Sequence, residues 1–166
     1  SSAFEYATLE VTNAAPVLTA SGTASLDAIS NTLPEGMNTG LLVSDLISRM
    51  EPSGGISDSD SGATQGIAIV GLLGESTGSW QYSSNGGTTW SAIAATGTIN
   101  ARLLAANSAT RIRYVPNHGF VGTVKFAFVA WDQTSGIAGN LVNAGARGGT
   151  TSFSLLWDYA TLNVTA

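Results

Sequence analysis

The clearest structural signal in the chain is Thr123-Val124-Lys125-Phe126-Ala127-Phe128-Val129-Ala130-Trp131-Asp132. Val124, Phe126, Phe128 and Ala130 fall on every second position, and this period places them on one face of a β-strand. Asp132 follows at the end of the strand, where its side chain can reach the loops at one pole of a sandwich. The stretch therefore predicts a strand with one apolar face and an acid at its end.

Short strands of the same kind are predicted on the N-terminal side of this stretch. Residues 67–73 read as a buried strand, and residues 111–116 alternate. Ser84-Asn85-Gly86-Gly87 is a hairpin signal between residues 80–83 and 88–90. Seven or more short strands with Gly-rich turns predict an all-β fold, a β-sandwich.

One segment breaks the β pattern. Its apolar residues are spaced as on one face of a helix: Leu42, Val43, Leu46, Ile47 and Met50. The spacing predicts a short helix over residues 41–50, with Asn38 or Thr39 as its N-cap.

Composition narrows the class of protein. The 166 residues suffice for one domain with a sizeable core, and there is no Cys to form disulfides or a Cys-ligated zinc site. The net charge is −5 and no basic stripe exists, so we expect no nucleic-acid partner. No apolar run approaches the roughly 18 residues of a membrane helix, so we expect no membrane insertion. The mild acidity suits cation binding or solubility.

The two ends of the chain repeat one sequence. Phe4-Glu5-Tyr6-Ala7-Thr8-Leu9-Glu10-Val11-Thr12 matches Trp157-Asp158-Tyr159-Ala160-Thr161-Leu162-Asn163-Val164-Thr165 at six of nine positions, 153 residues apart. Such a match indicates a tandem array of separately folding units. We therefore expect residues 1–12 to be the terminal strand left over from the preceding repeat and residues 13–166 to be a single module. The leftover strand should lie at an edge, stay mobile, or pair with another molecule.

An acidic loop precedes the buried strand at residue 67. Asp58 and Asp60 point the same way in an extended backbone and can aim four carboxylate oxygens at one point. Ca²⁺ accepts six to eight such oxygens, although the loop can also be a solvated acidic turn. An EF-hand is excluded because Gly62 stands where its third ligand is expected. Ligands must then come from several loops, and the candidates are Asp58, Asp60, Asp132, Glu35 and Asn13.

The order of these motifs resembles that of cadherins: Asn13-Ala14-Ala15-Pro16, then Asp58-Ser59-Asp60, then Ala130-Trp131-Asp132. Residues 78–132 are similar to bacterial cadherin-like repeats of large secreted adhesins. The resemblance implies Ig-like sandwiches in tandem, stiffened by Ca²⁺, that hold cells to surfaces, matrices or one another. It also implies a secreted or cell-surface location. The partners it implies are neighbouring repeats, and a surface polysaccharide or another cell-surface protein.

The hairpin carries a second candidate site. Ser83-x-Asn85-x-Gly87-x-Thr89-Trp90 resembles the Asp-box, a structural hairpin motif of secreted β-proteins, with Asn in place of Asp. Trp80, Tyr82 and Trp90 could form an aromatic platform for sugars, which makes a carbohydrate-binding module the alternative function. Aromatic pairs across a hairpin more often serve packing.

Enzyme activity is not expected. His118 is the single His and lies in a turn, and no Gly-x-Ser-x-Gly elbow accompanies it. Asp58 and Asp60 are poor candidates for a glycosidase pair, because they are loop acids without aromatic subsites.

Overall fold

The computed structural model describes residues 9–22, 24–95 and 97–166. The strands among these residues are β1 (Val17–Thr19), β2 (Ile29–Ser30), β3 (Leu41–Leu42), β4 (Gly55–Ser57), β5 (Gly66–Leu73), β6 (Gly78–Ser83), β7 (Ser91–Ala92), β8 (Ala101–Ala105), β9 (Arg111–Pro116), β10 (Gly122–Trp131), β11 (Leu141–Val142) and β12 (Phe153–Thr165). A 3-10 helix spans Glu35–Met37, and an α-helix, α1, spans Val43–Ser48. The predicted all-β fold with one short helix is confirmed.

Two sheets form the body of the domain. The larger has the strand order β11-β8-β5-β10-β12-β2, and the smaller has the order β3-β9-β6-β7. Strand β10 lies in the middle of the larger sheet, antiparallel to both β5 and β12. A separate pair joins β1 to β4.

The main core lies between the two sheets. The alternating residues of β10 point into it, as the sequence predicts, with Phe126 and Phe128 fully buried. Trp80 of β6 and Tyr114 of β9 approach from the smaller sheet. The Trp80 ring lies 5.0 Å from that of Tyr114 and 5.1 Å, edge-on, from that of Phe126. These aromatic contacts fasten one sheet to the other.

A second apolar cluster covers part of the larger sheet's outer face, the side turned away from the smaller sheet. Val129 and Trp131 of β10 pack there against Leu103 of β8 and Phe153 of β12. Ala144 joins them from the connection between β10 and β12. Both faces of β10 are therefore buried at its C-terminal end, where the Gly-rich connection between β10 and β12 covers the outer face.

Helix α1 confirms the helical spacing but not the predicted cap. It buries Val43, Leu46 and Ile47 against the core. Its N-cap is Leu42, with no side-chain hydrogen bond, because β3 runs directly into the helix. The Val43 N–H donates to the Thr110 carbonyl instead. The prediction of Asn38 or Thr39 as the cap is wrong.

The two copies of the repeated sequence have different surroundings. The C-terminal copy lies within β12, where Leu162 is 3% exposed and Val164 is also buried. In the N-terminal copy, residues 4–8 lie outside the described residues, and residues 9–12 have no strand assignment. Leu9 there is 89% exposed. Among the described residues, no helix is long and apolar enough to cross a bilayer.

Candidate metal centre at the linker pole

The topology brings four chain segments to one end of the sandwich. Residues 58–65 join β4 to β5, and Gly66 at the start of β5 pairs with Trp131 at the end of β10. Asp132 therefore emerges beside that loop. Residues 13–16 lead into β1, whose first residue pairs with the last residue of β4. We call this end, formed by residues 13–16, 58–65, 132–135 and 148–152, the linker pole.

The chain before β1 bridges two of the acids. The Asn13 side-chain amide donates to Asp132 Oδ2 at 2.9 Å and to the Thr151 carbonyl at 3.1 Å. The next residue, Ala14, donates its backbone N–H to Asp60 Oδ2 at 2.9 Å. Residues predicted as ligands from separate parts of the sequence thus meet at this pole.

Asp132 is 2% exposed, and hydrogen bonds from its own loop stabilise it. Thr134 donates to Asp132 Oδ1 through its backbone N–H at 2.8 Å and through its hydroxyl at 2.5 Å. The Thr64 hydroxyl donates to the Asp132 carbonyl, which ties the two acidic loops together. Sequence reasoning missed Thr134, although Asp-x-Thr is a typical local side-chain-to-backbone pattern.

Asp58 is the unusual acid of the pole. Its Oδ1 accepts the Asp60 backbone N–H at 2.9 Å. Its Oδ2 is buried from solvent and has no hydrogen-bond partner. A buried carboxylate oxygen without a partner is costly, so this atom requires an explanation.

No positive side chain compensates these acids within the part of the chain that the structure describes. The two ion pairs there join Arg49 to Asp27 and Arg113 to Glu35. Asp58, Asp60 and Asp132 belong to neither pair. Carboxylates in one loop cluster repel one another unless solvent or a cation compensates them.

These residues meet part of what Ca²⁺ requires. The unpaired Asp58 oxygen and the carboxylates of Asp60 and Asp132 are hard oxygen donors of the kind that Ca²⁺ binds. Internal donors already engage the facing oxygens of Asp60 and Asp132. Among residues 9–22, 24–95 and 97–166, no three His, Asp or Glu side chains form a group that could hold a metal ion. A bound ion would therefore depend on backbone or water oxygens, or on a shift of Asn13.

Glu35 does not join the linker pole. Its carboxylate accepts from Arg113 Nη2 at 2.5 Å, beside β9 of the smaller sheet. The Arg113 guanidinium also lies over the Trp90 ring, 4.1 Å from its centroid. The pKa of Arg113 is lowered, chiefly by burial, and the charge of Glu35 acts in the opposite direction. Glu35 thus compensates a buried arginine.

The three predicted sugar-binding aromatics do not form a platform. Trp80 is 2% exposed and donates its indole N–H to the Leu73 carbonyl, so it offers no face to a sugar. The Tyr82 hydroxyl donates to the Gly139 carbonyl. Trp90 is half-buried beneath Arg113. The prediction that Trp80 belongs to a sugar-binding platform is wrong, because alternation along β6 turns its ring into the core.

The fold and the acidic pole define an all-β sandwich domain with a candidate cation site beside its N-terminal linker. No family model matches the sequence, and no curated protein and no solved structure matches the chain. The resemblance to cadherin-like repeats therefore depends on the quoted residues alone.

Proposed function

We propose that this chain is a calcium-binding structural and adhesive module of a tandem-repeat protein, located outside the cell. The observation that carries the proposal is the buried Asp58 Oδ2, which has no partner although Asp60 and the linker lie beside it. A cation would compensate this oxygen and the repulsion among the neighbouring carboxylates.

Asp58 and Asp60 are the first candidates to hold the ion, followed by Asp132 and Asn13. The ion would supply positive charge and coordinate oxygens from several loops at once. The linker already lies against these acids, because Asn13 bonds to Asp132 and Ala14 bonds to Asp60, and the ion would bind beside these bonds or replace them. Binding would therefore order the linker together with the acidic loops.

The position of the linker gives the proposed site its structural role. If residues 4–12 are the last strand of a preceding repeat, residues 13–16 are the whole connection between that repeat and β1. An ion at the linker pole would then stiffen the junction between two modules. A stiff array can hold an adhesive surface away from the cell, towards a polysaccharide or another surface protein.

A calcium titration followed by thermal melting tests this proposal. A ligand at about 100 times its Kd stabilises the folded state by about 2.7 kcal/mol. For a domain of this size, that corresponds to an increase in Tm of roughly 5–10 °C. We expect EDTA to reverse the increase and Mg²⁺ to reproduce little of it, because Mg²⁺ demands a smaller, regular site.

Two variants make the test specific to the pole. Asp58→Asn should abolish the calcium-dependent increase in Tm. Glu75→Gln removes the same charge from the exposed turn between β5 and β6, at the other end of β5, and should leave the increase intact. A Tm that is the same in CaCl₂ and EDTA contradicts calcium binding. An increase that survives Asp58→Asn places the ion elsewhere.

A further inference from the structure

The outer face of the larger sheet carries an open groove whose lining includes no residue of the linker pole. The groove has a volume of about 190 Å³ and is lined by Val70, Thr98, Ala127, Arg147, Trp157 and Tyr159. Ala127, in the middle strand β10, is too small to fill the space between its neighbours. The long connection that covers the C-terminal end of β10 contributes Arg147 to this groove.

Two aromatic rings form one wall of the groove. Trp157 and Tyr159 follow each other on the outer face of β12, with ring centroids 4.7 Å apart and planes at 80°. Trp157 is 47% exposed. The Trp157 indole is half-exposed on the sheet surface and lines the groove. This position is typical of the apolar wall of a ligand site rather than of a core residue.

The repeated sequence keeps this aromatic pair. Phe4 and Tyr6 stand at the corresponding positions of the N-terminal copy. The core explains why Ala160, Leu162 and Val164 recur, since these residues are buried in β12. It does not explain the two outward-facing rings, so their recurrence points to a use on the surface.

The basic side chains of the protein differ in whether they have a partner within the fold. Four arginines donate to carboxylate or carbonyl oxygens within the fold: Arg49, Arg102, Arg111 and Arg113. The side chains of Arg147 and Lys125 make no ion pair or hydrogen bond with any described residue. Both lie at the aromatic pair, since Arg147 lines the groove and Lys125 Nζ lies over the Tyr159 ring at 4.3 Å. Two uncompensated cations at one groove favour an anionic ligand in a protein of net charge −5.

We propose that this groove binds a polysaccharide that carries uronic acid carboxylates. A sugar ring presents an apolar C–H face that can pack on the exposed indole of Trp157. Arg147 would take the carboxylate, because a guanidinium matches its two oxygens. Lys125 would add a second positive charge beside Tyr159. A neutral glycan would leave both cations unused.

This assignment goes beyond the calcium-dependent role proposed above and does not depend on it. The groove uses no residue of the linker pole. The two proposals can therefore fail separately, provided that sugar binding is measured without calcium. The absence of calcium also prevents the ion from bridging uronates to acidic residues.

The test is a titration of the full chain with a galacturonic acid hexamer in EDTA at low salt, followed by NMR of the indole N–H groups. The Trp157 signal should shift, while those of Trp80 and Trp131, whose N–H groups are bonded inside the fold, should not. Arg147→Ala should weaken the affinity roughly tenfold or more, because hydrogen bonds to charged groups are the strong ones. Trp157→Phe, which copies the N-terminal repeat, should retain binding, and Trp157→Ala should lose it.

Arg49→Ala is the matched control, since it removes the same charge from the end of α1 and should leave the affinity unchanged. A galactose hexamer lacks the carboxylates and should bind at least tenfold more weakly. The proposal is overturned if neither hexamer binds at millimolar concentration, or if both bind equally. If a sulfated galactose hexamer binds more tightly than the galacturonic acid hexamer, the proposed preference for carboxylates is overturned. If Arg147→Ala leaves the Trp157 signal shift unchanged, the groove is not the binding site.

Discussion

Tyr114 shows how a single buried hydroxyl connects the two sheets. Its ring is fully buried, and its hydroxyl donates to the Gly74 carbonyl at 2.6 Å while bonding to the Thr77 hydroxyl at 2.9 Å. Burial raises the pKa of Tyr114, and the hydrogen bond with Thr77 acts in the opposite direction. The hydroxyl therefore fastens the turn between β5 and β6 to the core only while it stays protonated.

The raised pKa predicts how Tyr114→Phe behaves with pH. At pH 8 the variant should lose about 0.5–1.5 kcal/mol of unfolding free energy, because the hydrogen bonds of the Tyr114 hydroxyl are lost while Thr77 still donates to the Gly74 carbonyl. The folded-state pKa lies above the unfolded value of about 10, so the benefit of the neutral hydroxyl is complete below pH 10 and declines as pH rises further. Urea unfolding at pH 8 and pH 11 should show a smaller difference between variant and wild type at pH 11. An equal difference at both pH values would contradict this account.

At the residue scale, the sequence predicts which side chains point inward but not what their polar atoms contact. Period two places Phe126 and Phe128 in the core because burial follows the strand itself. The partner of Tyr114, by contrast, is a backbone carbonyl 40 residues away in the chain. Such a contact depends on strand pairing, which a local pattern does not contain.

The hairpin between β6 and β7 depends on one amide. Asn85 Oδ1 accepts from the Thr89 N–H at 2.9 Å and from the Ser83 hydroxyl at 2.8 Å, and Asn85 Nδ2 donates to the Thr89 hydroxyl at 2.8 Å. The turn is thus closed across four residues by the Asn85 side chain.

Substitutions at Asn85 should distinguish the contribution of its acceptor oxygen, Oδ1, to stability from that of its donor nitrogen, Nδ2. Asn85→Ala should lower the free energy of unfolding by about 1 kcal/mol, because the Thr89 N–H loses its acceptor. Asn85→Asp keeps that acceptor and should remain within about 0.5 kcal/mol of wild type, as should Ser84→Ala, an exposed neighbour. Chemical denaturation of the three variants measures this. If Asp and Ala at position 85 cost the same, the acceptor is not what closes the turn.

At the element scale, long patterns are predictable and short elements are not. Strands β5, β9 and β10 each have at least six residues, enough for a period to show. Strands β2, β7 and β11 have two residues each, and no period exists at that length. The cap of α1 could not be predicted either, since it depends on β3 entering the helix from the smaller sheet.

The linker pole is a property of the whole molecule. Asn13 and Asp132 are 119 residues apart in sequence, and the pairing of β5 with β10 and of β1 with β4 brings them together. Sequence reasoning anticipated a pole because acids at strand ends can meet there. The prediction that Glu35 is a ligand at this pole is wrong, because its carboxylate pairs with the buried Arg113 of the smaller sheet.

The repeated strand offers a matched test of the module boundary. Leu9 and Leu162 occupy the same position in the two copies, yet Leu9 is largely exposed and Leu162 packs in the core with Phe126 and Val164. Leu162→Ala should cost about 2–5 kcal/mol, as large-to-small core substitutions do. Leu9→Ala should cost less than about 0.5 kcal/mol, as a surface substitution does. Both values come from urea unfolding of otherwise identical chains. Equal costs would mean that the N-terminal copy packs within this domain, and the boundary before Asn13 would then be misplaced.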